Sequence, residues 1–204
     1  MQLAYDNQRK EGSAMERTDY IDFEKKLAFH TAPTLLGIKC SNLMSLPLHG
    51  FDVDSYSETF NRKAAPKGLK IKTLCECSER KLVLICNEKL LKRRLSEPET
   101  RRMLSEFGYS WDMSCSECLD MLSERIRTSG EFPHEIGIFL GYPLEDVEGF
   151  IRRKGEKCKL CGYWKVYGSV ENAKRIFDNY DKCRKFLCNK LNEGEDIYHA
   201  LRIS

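Results

Sequence analysis

Leu69-Lys-Ile-Lys-Thr-Leu-Cys75 and Lys81-Leu-Val-Leu-Ile-Cys-Asn87 are two short apolar runs joined through the polar Ser78-Glu-Arg80. Runs of this length, rich in branched residues and separated by a polar turn, predict a β-hairpin. Nearly everything on either side reads as helix, so the hairpin sets the fold class. It predicts an α+β domain with a small sheet of three to four strands covered by several helices.

Upstream of the hairpin, Thr18 can cap a helix over Asp19–Phe29, in which Ile21, Phe23 and Leu27 begin an apolar face. Pro33 disfavours helical geometry in Ala32, which predicts an end near His30. The stretch 34–46 is short, apolar and ambiguous between strand and helix. Asp54 can cap a second helix reaching Ala64, and Pro66-Lys-Gly68 breaks it.

Downstream, Asn87 caps a helix carrying Leu90, Leu91 and Leu95, and Pro98 opens another that closes at Gly108. Ser114-Cys-Ser-Glu117 has capping-box spacing, with serine at the cap and glutamate three residues on. The helix it starts aligns Cys118, Leu119, Leu122 and Ile126. The stretches 132–140 and 143–154 read as two helices hinged at Gly141-Tyr142. Residues 157–167 alternate as one strand. Ser169 caps a long helix in which Ala173, Ile176, Phe177, Tyr180, Leu187 and Leu191 recur at three and four. Gly194 stops it ahead of a terminal helix over 197–203. One domain over 17–204 is expected, with 1–16 a disordered extension or a start misassigned ahead of Met15.

Hydrophobic content of 41% and charged content of 32% describe an ordinary folded protein, and no apolar run approaches the ~18 residues of a membrane span. The polar start lacks the apolar middle of a secretory signal, so a cytoplasmic location is expected. A balance of 34 basic and 31 acidic residues implies no nucleic-acid partner, and the basic stretch 62–72 reads as a solvated loop or face.

Ten cysteines in a reducing compartment predict thiols. Cys115, Cys118, Cys158 and Cys161 form two pairs with knuckle spacing that could hold zinc or an iron–sulfur cluster. The alternatives are core packing, and a dithiol at Cys115 and Cys118 activated by a helix N-terminus. His30, His134, Glu135 and Cys161 could supply nucleophilic chemistry if they converged. On one straight strand, Tyr163, Lys165 and Tyr167 would share a face able to stack a planar ligand such as a flavin, with Lys39 as a second cation. The stretch 135–151 also has helix-turn-helix spacing. Its second helix begins with Glu145, Asp146 and Glu148, the wrong sign for phosphates, which argues against a nucleic-acid partner.

Three motifs carry a wider similarity: His30-Thr-Ala-Pro-Thr-Leu-Leu-Gly-Ile-Lys39, Glu131-Phe-Pro-His-Glu-Ile-Gly-Ile-Phe-Leu-Gly-Tyr-Pro-Leu-Glu-Asp-Val-Glu-Gly-Phe150 and Lys159-Leu-Cys-Gly-Tyr-Trp-Lys-Val-Tyr-Gly168. Together they resemble a bacterial family catalogued as domain of unknown function 3793, over roughly residues 19–203. The resemblance implies no reaction. It points toward iron or flavin-linked redox handling, with zinc, iron or flavin as conceivable cofactors and a redox or iron-handling protein as partner. The reading adopted is a binding or accessory protein in that metabolism. A small Cys/His enzyme is the chief alternative, and a structural zinc or helix-turn-helix module a further one.

Overall fold

The structure is a computed structural model that describes residues 17–48, 51–77, 79–129 and 132–203. The stretch 1–16, Ser78 of the hairpin turn and Glu131 lie outside the described residues. In chain order the elements are α1 (Arg17–Leu35), β1 (Ser41–Pro47), α2 (Val53–Ala64), β2 (Leu69–Glu76), β3 (Arg80–Asn87), α3 (Glu88–Ser96), α4 (Pro98–Ser105), α5 (Cys115–Thr128), α6 (Ile136–Phe139), α7 (Leu144–Arg152), β4 (Leu160–Cys161), β5 (Lys165–Val166), α8 (Val170–Asn192) and α9 (Ile197–Ala200). The expected α+β class holds.

The hairpin forms as β2 and β3, and β1 pairs with the other edge of β3, giving an antiparallel sheet in the order β1-β3-β2. The continuous apolar run of β3 follows from its central position, since both of its faces are covered. Val83 and Ile85 face one cluster, with Leu27 of α1, Phe60 of α2 and Leu187 of α8. Leu84 and Cys86 face the other, with Leu91 of α3, Leu122 of α5 and Phe139 of α6. A third cluster, built from Trp164, Val166, Ala173 and Tyr180, lies where β4 and β5 meet α8.

Several caps stand where the sequence puts them. The Asn87 side chain accepts from the Leu90 amide at 3.1 Å, and Ser169 accepts from Asn172 at 3.2 Å. Ser114 and Glu117 form the complete capping box, with bonds of 2.7 and 3.3 Å. Two caps differ. Asp52, not Asp54, caps α2 by accepting from Ser55, while Asp54 pairs with Lys81. α1 is already helical at Arg17, which puts Thr18 inside it.

α1 also continues through Pro33 to Leu35 instead of ending near His30. Proline has no amide to give the carbonyl four residues back. That carbonyl, on Phe29, accepts from Arg184 Nε of α8 at 3.0 Å, so a tertiary donor replaces the missing backbone one. Two further expectations change in form. The stretch 157–167 is not one strand but a tight hairpin, β4 paired to β5, with the turn at Gly162, Tyr163 and Trp164. The first of the two hinged helices is a single turn, α6, and the terminal helix is the short α9.

Candidate functional site

Asp146 ties the second and third sequence motifs together. It sits in the first turn of α7 and is 2% exposed. Its Oδ2 accepts from Trp164 Nε1 at 2.7 Å, and its Oδ1 accepts from the amides of Tyr167 and Gly168, each at 2.7 Å. A buried carboxylate needs several donors, and this one takes all three from the β4–β5 hairpin. α7 and the hairpin are also in close backbone contact. A Cβ on Gly149 would stand 2.5 Å from Tyr167 Cβ, and one on Gly168 would overlap the Glu145 carboxylate.

Clamping the hairpin on α7 leaves a cavity of about 540 Å³ between them. Its walls include Phe132, Ile136, Tyr142, Val147, Phe150 and Trp164. Tyr142 stacks on Trp164 with ring centroids 5.0 Å apart. His134 and Lys165 supply the basic groups of the lining. The His134 ring meets the Phe150 ring edge-on at 5.3 Å, and Lys165 Nζ donates to the Gly155 carbonyl at 2.8 Å. Among the described residues neither forms an ion pair with a carboxylate, and the one lining carboxylate, Asp146, is already bonded to the hairpin.

The other expected site residues fall in different places. Glu135 is buried behind the cavity, where it accepts from Arg125 and, at 3.5 Å, from Tyr109. Burial raises the Tyr109 hydroxyl well above the usual tyrosine range. Lys39 is buried, with its ammonium 5.2 Å from the Tyr142 ring centre and 5.6 Å from that of Tyr180. Burial lowers it to about 8. His30 lies on the exposed side of α1 next to the Phe29 ring, held below the usual histidine range by partial burial and then by the Arg184 charge.

The aromatic face expected on a straight strand does not form, because the chain turns back on itself. Tyr163 packs against Phe177 and Tyr180 and donates to Asp181 at 2.7 Å, while Tyr167 is buried beside Gly149. Lys165 alone of the three reaches the cavity.

The cysteines do not assemble. Cys115 and Cys118 pack with the cluster beneath α3 and α5, whereas Cys158 lies just ahead of the β4–β5 hairpin and Cys161 on it. Among the described residues no three His, Cys, Asp or Glu side chains gather as metal ligands. Burial pushes the Cys115 and Cys118 thiols up, the opposite direction to an activated dithiol. Cys161 is exposed, does not line the cavity, and hydrogen-bonds neither His30 nor His134 among the described residues. The helix-turn-helix spacing has a structural cause: Gly137 admits Val147 and Tyr142 against α6, and the start of α7 is covered by the hairpin instead of standing free for a groove.

The profile of the family described as protein of unknown function (DUF3793) matches residues 27–201, which takes in all three motifs and every cavity-lining residue. The chain belongs to the DUF3793 family. No curated protein and no solved structure matches it. The DUF3793 motifs quoted above therefore divide by role. Asp146, Gly149, Trp164, Tyr167 and Gly168 build the clamp, while His134 and Lys165 face the space it encloses. Sequence reading missed Asp146, whose only mark was a carboxylate after Pro143 in a first helical turn, the usual complement to a helix dipole.

Proposed function

We propose that the protein is a binding or accessory protein that holds a flat, anionic small molecule in the α7–hairpin cavity. The observation that carries this reading is the lining itself: aromatic walls and, among the described residues, two basic groups without carboxylate partners and one carboxylate, engaged by the hairpin. The volume is of the size that takes small ligands, on the order of 300–1,000 Å³. A flavin is the ligand class that best suits both this lining and the family resemblance. Its ring system is planar and apolar, and its phosphate arm would meet Lys165 and His134. Bound there, a flavin would supply one- or two-electron transfer, and the chain's own part would be to hold the ring dry and neutralise the arm. A role in iron or flavin-linked redox metabolism is the corresponding biological proposal.

The chain has two tryptophans, and only Trp164 lines the cavity, so Trp111→Phe protein gives a fluorescence signal from the site alone. Titration with riboflavin 5′-phosphate is expected to quench it saturably at one equivalent. Phe150→Ala should weaken binding about tenfold, and Lys165→Met about threefold to tenfold. Absence of saturable quenching up to millimolar flavin, together with a colourless protein after oxygen-free purification, would overturn the flavin assignment.

A further inference from the structure

A second cleft, of about 680 Å³, opens between α1, α2 and α9, away from the clamp. Three tyrosines contribute to it, Tyr20, Tyr56 and Tyr198, with Glu24 among them. Glu24 is 8% exposed. It accepts from the Tyr56 hydroxyl at 3.3 Å and from the Ile197 amide at 3.1 Å, both neutral donors. A buried carboxylate is satisfied by a cation or by several short donors, as Asp146 is by three at 2.7 Å, and Glu24 has only these two longer ones. The other acids of the cleft sit against basic side chains, Glu195 on Lys190 at 2.8 Å and Asp196 on the His199 ring at 3.0 Å. Among the described residues Glu24 has no such partner, and burial raises its carboxyl above the usual range.

The cleft already holds one cation on an aromatic face. Lys63 Nζ lies 4.2 Å from the Tyr198 ring centre and forms no ion pair among the described residues, although its side chain is solvent-exposed. Aromatic faces next to a carboxylate are the chemistry that recognises organic ammonium ions.

We propose that this cleft is a binding site for an organic ammonium ligand, whose cationic nitrogen pairs with Glu24 and whose alkyl groups cover the rings of Tyr20 and Tyr198. Lys63 occupies part of that surface in the free protein and gives way when the ligand enters. This site is independent of the flavin assignment, since the two cavities share no lining residue.

The test is calorimetric titration of the full chain with choline and with spermidine. One saturable site for at least one of them is expected, weakened at least tenfold in Glu24→Gln. Lys63→Met, which removes a competing cation from an exposed position, should tighten binding about threefold to tenfold. A site built for anions would respond to Lys63→Met with the opposite sign. Weaker binding in Lys63→Met, unchanged affinity in a folded Glu24→Gln, or no binding of either amine at millimolar concentration would each overturn the proposal. Should Glu24→Gln fail to fold, the sign of the Lys63→Met effect decides it.

Discussion

Asp146 concentrates a large share of the site's order in one side chain. Asparagine at this position keeps an oxygen for the two backbone amides but turns an amide N–H toward the Trp164 indole donor. Asp146→Asn is therefore expected to cost about 2–3 kcal/mol of unfolding free energy, read by urea titration, with a red shift of Trp164 emission as the hairpin loosens. Lys39 gives a second prediction, in pH. Its amine protonates near 8 in the folded chain against 10.5 for an ordinary lysine. The folded state thus binds this proton less readily than the unfolded state, and the penalty is complete below about pH 8. It shrinks as pH rises from there toward 10.5, so stability climbs with pH across that window. Lys39→Met should remove up to about 3 kcal/mol of penalty at pH 7, and thermal unfolding between pH 7 and 10 should lose the corresponding slope. Neither residue was legible as special. A capping asparagine or serine acts on its own helix and can be read locally, whereas Asp146 and Lys39 owe their character to groups more than a dozen residues away.

Elements were legible where their cause was local. The capping box at Ser114, the hairpin of β2 and β3, and the long face of α8 all depend on spacing within one segment. The end of α1 and the turn of the β4–β5 hairpin do not. Period-two alternation over 157–167 fits one strand as well as two, and the choice falls to Gly162, where a Cβ would collide with the Phe177 ring of α8. For α1, the outcome depends on Arg184. Arg184→Ala should cost about 0.5–1.5 kcal/mol, because the exposed Phe29 carbonyl exchanges its protein donor for water. The same substitution in a Pro33→Ala background should cost measurably less, since the alanine amide can reach that carbonyl. A double-mutant cycle by denaturant unfolding checks the difference, and strict additivity would refute the exchange of donors. Between α7 and the hairpin, Gly149→Ala is expected to cost more than about 2 kcal/mol, with Asp146 intact, by forcing the two backbones apart.

Across the whole molecule, β3 is the partition between two large apolar clusters, and its amides are bonded to strands on both sides. Hydrogen exchange should be slowest at Val83, Leu84 and Ile85, and faster by orders of magnitude in the β4–β5 hairpin, whose ladder is two residues long on each side. Of the candidate site residues taken from the motifs, the fold gathers His134 and Lys165 in one cavity, sets Glu135 and Lys39 behind its wall, and leaves His30 and Cys161 apart. The motif positions announced that something was held in place. Which residues hold and which face the enclosed space depended on how α7 meets a hairpin that sequence spacing had read as a single strand. The helix that opens the fold is likewise bound to the helix that nearly closes it. Arg184 follows Phe29 by 155 residues, so a ribosome adding about 5–20 residues per second supplies that donor on the order of 8–30 s after the carbonyl emerges. For that interval the Phe29 carbonyl has only water to bond, and nascent chains halted before α8 should be cut by protease near Phe29 where the finished protein resists.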